Sequence, residues 1–165
     1  MTDFLGIIQE ALNPKWVVTG IDRMKLKEDA ENQVITIRSG GIKYFLFELD
    51  KKGVEVFPFF SNHKNLKRRA DYLLFAQGKN AVFVLVIELK SGGEKKAEYQ
   101  IRSTLHFSKY LMDRIQYVEK VNAKLEFRGI ACVPVLKTEI SAVANYKAEM
   151  ATNGGSELYL KRFLI

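Results

Sequence analysis

Apolar and polar residues follow two different periods along the chain, and the changes of period mark its elements. Residues 3–12 carry apolar side chains at helical spacing between an aspartate and a proline, which predicts a short helix capped by that aspartate. Residues 33–38 and 43–49 alternate with a period of two around a glycine-rich turn, which predicts a β-hairpin. Residues 54–60 favour a further strand, although Pro58 interrupts the segment.

The two most apolar segments lie near the middle of the chain. Residues 71–76 and 81–90 are rich in β-branched and aromatic side chains, which is typical of strands buried on both faces. Only the short turn 77–80 separates them, so we expect adjacent antiparallel strands.

A long helix and a third core strand follow these two strands. The helix is predicted over about 94–123, and a strand is predicted over 126–136. Because a helix separates this strand from the one before it, the two strands should be parallel. A final strand is predicted over 158–165. One stripe of the helix should be buried: Ala97, Ile101, Thr104, Leu105, Ser108, Leu111, Met112, Ile115 and Val118.

Length and composition indicate one domain over residues 1–165. Hydrophobic residues make up 47% of the chain, yet no run of 18 apolar residues predicts a membrane span, and the N-terminus lacks the basic region of a secretory signal. The single cysteine, Cys132, lies in an apolar run and is expected to be a buried small residue. A cytoplasmic location is the default expectation for such a chain.

Charged residues at the ends of the two apolar strands indicate a chemical site. Glu88 and Lys90 share one strand face, roughly 7 Å apart along the chain. Asp71 would lie beside Glu88 if the two strands pair. Burying these charges is costly unless they are paired or bind an ion. Two carboxylates suit Mg²⁺, and a bound cation makes water a usable nucleophile.

Asp71 followed by Glu88-Leu89-Lys90 resembles the motif of the PD-(D/E)XK nuclease superfamily, over roughly residues 40–136. Ala70 stands where the family has a proline. The resemblance implies an α/β, restriction-endonuclease-like fold: a three-layer core with a central mixed β-sheet flanked by helices. It also implies Mg²⁺- or Mn²⁺-dependent hydrolysis of DNA. Asp71 and Glu88 would bind the metal with the carbonyl of Leu89, and Lys90 would be catalytic.

Some exonuclease-type members of this superfamily carry a glutamine on the following helix that faces the metal site. The resemblance therefore implies a catalytic role for Gln100, although Thr104 stands where a tyrosine usually follows. Glu10 and Glu48 are further candidates for an additional acid. Each candidate also has a structural interpretation, such as an ion pair between Asp71 and a nearby arginine or a polar position at a helix edge for Gln100.

A formal net charge of +7 favours a polyanionic partner. Four basic residues just before Asp71 are the candidates for binding the nucleic-acid backbone: Lys64, Lys67, Arg68 and Arg69. The alternative for this segment is a solvated loop.

Two functions stay open. The chain is either a nuclease acting on nucleic acid, with DNA expected, or a non-catalytic nucleic-acid-binding or protein-interaction module with the same fold. A homodimer is compatible with both. His63 and His106 lack metal-ligand spacing, and no Walker-type phosphate loop is present, so zinc and nucleotide sites are disfavoured.

Overall fold

The computed structural model of the protein describes residues 3–28, 33–63, 65–89, 94–133 and 150–165. It contains two α-helices, α1 (Phe4–Ala11) and α2 (Glu94–Glu119), and a final 3₁₀ turn (Leu160–Arg162). The strands are β1 (Val17–Thr19), β2 (Met24–Glu28), β3 (Gln33–Arg38), β4 (Tyr44–Glu48), β5 (Tyr72–Gln77), β6 (Val82–Leu89), β7 (Leu125–Val133), β8 (Met150–Gly154) and β9 (Glu157–Tyr159).

The larger sheet has six strands in the order β1-β4-β5-β6-β7-β8. Its strands are antiparallel from β1 to β6, whereas β6, β7 and β8 run parallel. The short turn between β5 and β6 permits only antiparallel pairing, and α2 supplies the crossover that parallel pairing of β6 with β7 requires. Both pairings confirm the sequence-based prediction.

Three layers build the core. Leu5 and Ile8 of α1 and Ile101 of α2 pack with the odd-numbered apolar residues of β4 and β5 on one face of the larger sheet. The second face packs against the three-stranded sheet β2-β3-β9 through residues such as Ile35 and Leu158. The α/β class and the mixed central sheet are confirmed. Within the described residues both helices lie on one face of the larger sheet, and the second face is covered by the smaller sheet.

The predicted hairpin of β3 with β4 is wrong. The strands lie in different sheets, and Gly40 and Gly41 turn the chain between the layers with φ of +58° and +84°. All but the last residue of β4 are buried, as in a central strand, whereas β3 is buried only on alternate positions. Alternation shows which face of a strand is buried, but it does not identify the neighbouring strand.

Two other predicted strands differ from the structure. Residues 54–60 form turns rather than a strand, and they contribute Val56 and Phe57 to the core. The last strand covers only Glu157–Tyr159 before the 3₁₀ turn. On α2 the predicted stripe is buried at most positions, but Val118 is 58% exposed because the helix ends one residue later. The capping role of Asp3 is confirmed by its hydrogen bond from the Gly6 N–H.

Candidate metal and nucleic-acid site

The pairing of β5 with β6 brings Asp71 and Glu88 together at the end of the two strands. Tyr72 pairs with Ile87, so the register continued by one residue sets Asp71 opposite Glu88. Leu73 and Val86 belong to the core beneath α2, and by strand alternation Asp71 and Glu88 face the same layer. Opposite residues of an antiparallel pair have Cβ atoms about 4.5–5.5 Å apart.

Hydrogen bonds fix Asp71 at the start of β5. Its carboxylate Oδ2 accepts the Leu89 N–H at 2.7 Å, and its carbonyl accepts the Leu49 N–H at 2.9 Å. Asp71 is 9% exposed and Glu88 is fully buried. Because burial in a medium of low dielectric strengthens electrostatic interactions, a cation bound by these carboxylates would be held strongly.

Helix α2 holds the backbone that leads into Asp71. Gln100 Nε2 donates to the Arg69 carbonyl at 2.9 Å, and Ser103 Oγ donates to the Arg68 carbonyl at 3.1 Å. Thr104 Oγ1 accepts the Ala70 N–H at 2.7 Å in a buried hydrogen bond. The three helix residues lie on one face because their spacing is three and four residues.

Gln100 therefore contacts the segment just before Asp71 through its amide nitrogen. Its Oε1 atom is buried and has no hydrogen-bond partner within the described part of the chain. Thr104 was predicted only as part of the buried stripe, and its hydrogen bond to Ala70 was missed. The available signal was a hydroxyl at a buried helix position, because buried polar groups are nearly always hydrogen-bonded.

Cys132 lies on β7 beside Leu89 of β6 and is fully buried, as predicted. Burial, together with the negative charges of Asp71 and Glu88, raises the pKa of its thiol to about 12. The thiol is therefore protonated at neutral pH, which excludes it as a nucleophile.

Two of the basic residues before Asp71 form ion pairs within the protein. Lys67 Nζ lies 3.2 Å from Glu55 Oε2. Arg69 donates to the Leu49 carbonyl at 2.7 Å and lies 3.2 Å from Asp50, with 17% of its side chain exposed. The contacts of Arg69 anchor the segment to the residues that follow β4, and Lys67 anchors it to Glu55.

Arg68 differs from its neighbours because it is exposed, with its guanidinium 5.9 Å from the centre of the Tyr99 ring. The ion pair that the structure shows for Arg69 is with Asp50. Lys64 lies outside the described residues.

Two other candidate acids lie on α1 and β4. Glu10 is exposed on α1, beside Pro14 and Val17. Glu48 follows Leu46 by two residues and therefore faces the layer of β2-β3-β9, on the opposite side of the sheet from Asp71. Lys90 lies outside the described residues.

No group of three or more His, Cys, Asp or Glu side chains within the described ranges is arranged to hold a metal. Among the described residues, Asp71 and Glu88 are the two candidate carboxylate ligands at this end of the sheet. This number suits Mg²⁺, which keeps several waters and commonly binds through one or two carboxylates together with substrate phosphates. It does not suit structural zinc, which takes four protein ligands.

No protein-family model, curated protein or solved structure matches the chain. The resemblance to the PD-(D/E)XK motif therefore stays a prediction, and the functional argument rests on the residues described above. No described helix is long and apolar enough to cross a membrane.

Replacing Thr104 should test how much the hydrogen bond between α2 and Ala70 contributes to stability. We expect Thr104→Val to lower the free energy of unfolding by about 1–3 kcal/mol, because the buried Ala70 N–H would lose its acceptor. Ser103→Ala is the matched control, since its hydrogen bond to Arg68 is exposed and its loss should cost about 0.5 kcal/mol or less. Urea denaturation measures both values, and equal effects would contradict the assignment.

Replacing Arg68 and Arg69 should separate a surface role from a structural one. We expect Arg69→Ala to lower the free energy of unfolding by about 1.5–3 kcal/mol through the loss of charge-assisted hydrogen bonds.

Arg68→Ala should leave stability nearly unchanged. If Arg68 contacts a phosphate, its removal should also lower the slope of log K against log salt by about 0.7–0.9 in nucleic-acid titrations. An unchanged slope would show that Arg68 is merely solvated.

Proposed function

We propose that this protein is a Mg²⁺-dependent nuclease that hydrolyses phosphodiester bonds of DNA, with Mn²⁺ as an alternative metal. The observation that carries the proposal is the position of Asp71 opposite Glu88 on one face of two antiparallel strands. A pair of buried carboxylates at a strand end is a costly feature unless a cation or another compensating group accompanies it.

The order of elements supports a restriction-endonuclease-like fold. Helix α1 leads, strands β4, β5 and β6 form an antiparallel meander, and α2 crosses to the parallel strand β7. This is the order that the PD-(D/E)XK resemblance implies. The small sheet β2-β3-β9 is an addition that covers the second face of the larger sheet.

Each residue of the proposed site has a distinct role. Asp71 and Glu88 would hold the metal together with the Leu89 carbonyl, and the Leu89 N–H orients the Asp71 carboxylate. Mg²⁺ bound there would neutralise charge on the phosphate and make water a stronger nucleophile. Lys90, two residues after Glu88, would orient that water. Gln100 would fix the backbone that leads into Asp71 by donating a hydrogen bond to the Arg69 carbonyl.

Binding of the substrate backbone would depend on fewer basic residues than the four predicted. Arg68 is exposed and suited to a phosphate contact, since a guanidinium can bind phosphate oxygens in a bidentate manner. Lys67 and Arg69 support the same segment through their ion pairs. Lys64 stays a candidate from the sequence.

A non-catalytic nucleic-acid-binding module of the same fold is the second candidate function. The observation in its favour is the complete burial of Glu88, since a metal ligand at a catalytic centre must be reachable by cation and substrate. Metal binding and cleavage distinguish the two functions.

Metal binding should depend on Asp71 and Glu88. We expect Mn²⁺ at 100 times its dissociation constant to stabilise the wild-type protein by about 2.7 kcal/mol, because a ligand of the folded state shifts the unfolding equilibrium. Asp71→Asn and Glu88→Gln keep the shape of each side chain and should lose most of this effect. Thermal unfolding with and without Mn²⁺ measures it.

Glu48→Gln is the matched control for metal binding, since it removes a carboxylate from the neighbouring strand on the opposite face of the sheet. It should respond to Mn²⁺ as the wild type does. A wild-type protein without any response, confirmed by calorimetric titration, would favour the non-catalytic module.

Cleavage should require both Glu88 and Lys90. We expect Glu88→Gln and Lys90→Ala to lower the cleavage rate by at least about 100-fold, in the range typical of lost acid–base or electrostatic assistance. The assay follows linear, circular and single-stranded DNA with Mg²⁺ or Mn²⁺, and RNA is included for comparison. Equal cleavage by wild type and Lys90→Ala would contradict the role of Lys90, and no cleavage of any substrate would overturn the nuclease assignment.

A further inference from the structure

An aromatic groove lies between α2 and the segment 57–66, with a volume of about 510 Å³. Its lining contains six aromatic rings besides His106, which is unusual for a surface groove. The lining residues are Phe57, Phe59, Phe60, Asn65, Leu66, Tyr99, Ser103, His106, Phe107 and Tyr110.

The rings divide into a buried base and an exposed rim. Phe57 is buried and packs edge-on against Phe107, with ring centres 5.1 Å apart. Phe59 is 75% exposed, and Tyr110 is 64% exposed. Rings that are anchored in a core and open to solvent provide flat apolar surfaces with little conformational freedom to lose on binding.

Polar groups at the groove match the chemistry of nucleic acid. Arg68 lies over the Tyr99 ring at 5.9 Å, and the exposed His106 lines the groove. None of the described lining residues is acidic. Asn65 also lines the groove, and its Oδ1 is buried without a hydrogen-bond partner within the described ranges.

We propose that this groove binds unstacked bases of a single-stranded nucleic-acid segment, with Tyr99, Tyr110 and Phe59 as stacking surfaces and Arg68 as the phosphate contact. This proposal rests on the proposed function and adds that the substrate is single-stranded, with unstacked bases, where it contacts the groove. Every base has a π-face, so a platform of this kind binds single strands without demanding a sequence.

The groove lies beside the segment that leads into Asp71. Ser103 lines the groove and also donates to the Arg68 carbonyl, and Arg68 precedes Asp71 by three residues. The same helix holds Ala70 through Thr104. A strand stacked in the groove would therefore have its backbone next to the segment that enters β5. A second copy of the chain or an apolar peptide would cover the rings but would offer no phosphate to Arg68.

The test compares single-stranded and duplex DNA in binding assays without cleavage. Fluorescence anisotropy of labelled oligothymidylate and of a duplex, in EDTA, gives affinities for the wild type and for Phe59→Ala and Tyr110→Ala. Both side chains are largely exposed, so the fold should persist, and circular dichroism checks this point. Each variant should bind oligothymidylate about 5- to 150-fold more weakly, in line with the stacking energy of one base.

Two controls isolate stacking from charge and from general surface effects. Tyr117→Ala removes a tyrosine that is 80% exposed on the same helix but does not line the groove, so it should bind as the wild type does. Tyr110→Phe keeps the ring and should retain affinity. The aromatic variants should leave the salt slope unchanged, whereas Arg68→Ala should reduce it.

The outcomes separate this inference from the proposed function. Wild-type affinity for oligothymidylate in Phe59→Ala and Tyr110→Ala would overturn the groove assignment, even if the protein cleaves DNA. Loss of affinity in these variants would support the groove, even if no metal-dependent cleavage is found. A dimer that dissociates in Phe59→Ala, observed by sedimentation, would overturn the inference by assigning the groove to a second copy.

Discussion

The hydrogen bond from the Leu89 N–H to the Asp71 carboxylate is the contact on which the candidate site depends. It joins the start of β5 to the end of β6 and fixes one carboxylate beside the other. The position of Asp71 depends in turn on α2, where Thr104 accepts the Ala70 N–H and Gln100 binds the Arg69 carbonyl. Because these acceptors and donors come from one helix face, a shift of α2 would move Asp71 relative to Glu88.

The sequence predicts the elements around this contact because their signals are local. The sequences of β5 and β6 are apolar runs because both faces of these strands are buried. The turn between them is too short for any pairing but antiparallel. The partner strand of β3 could not be predicted from the alternation of its apolar and polar residues, because any neighbouring sheet that buries Ile35 and Ile37 fits that pattern. Strand choice depends on contacts between residues far apart in sequence.

The distinction between local signals and contacts far apart in sequence applies to the site as well. The shared face of Asp71 and Glu88 follows from strand alternation and register, both of which the sequence contains. The internal contacts of Arg69 and Lys67 were not predictable, because they require Asp50 and Glu55 to approach from another part of the chain. The complete burial of Glu88 also depends on its surroundings, which include α2 and Ala131 of β7.

Electrostatics links the two parts of the proposed surface. Carboxylates beneath α2 would repel a phosphate where no counter-charge accompanies them, whereas Arg68 at the groove would attract it. A cation bound between Asp71 and Glu88 would remove the repulsion, so metal and nucleic acid should strengthen each other's binding by the same factor. The groove itself needs no metal, because stacking on Tyr110 and Phe59 does not involve the carboxylates. Single strands would therefore be held first at the aromatic groove, and occupation of the carboxylate site would depend on the cation.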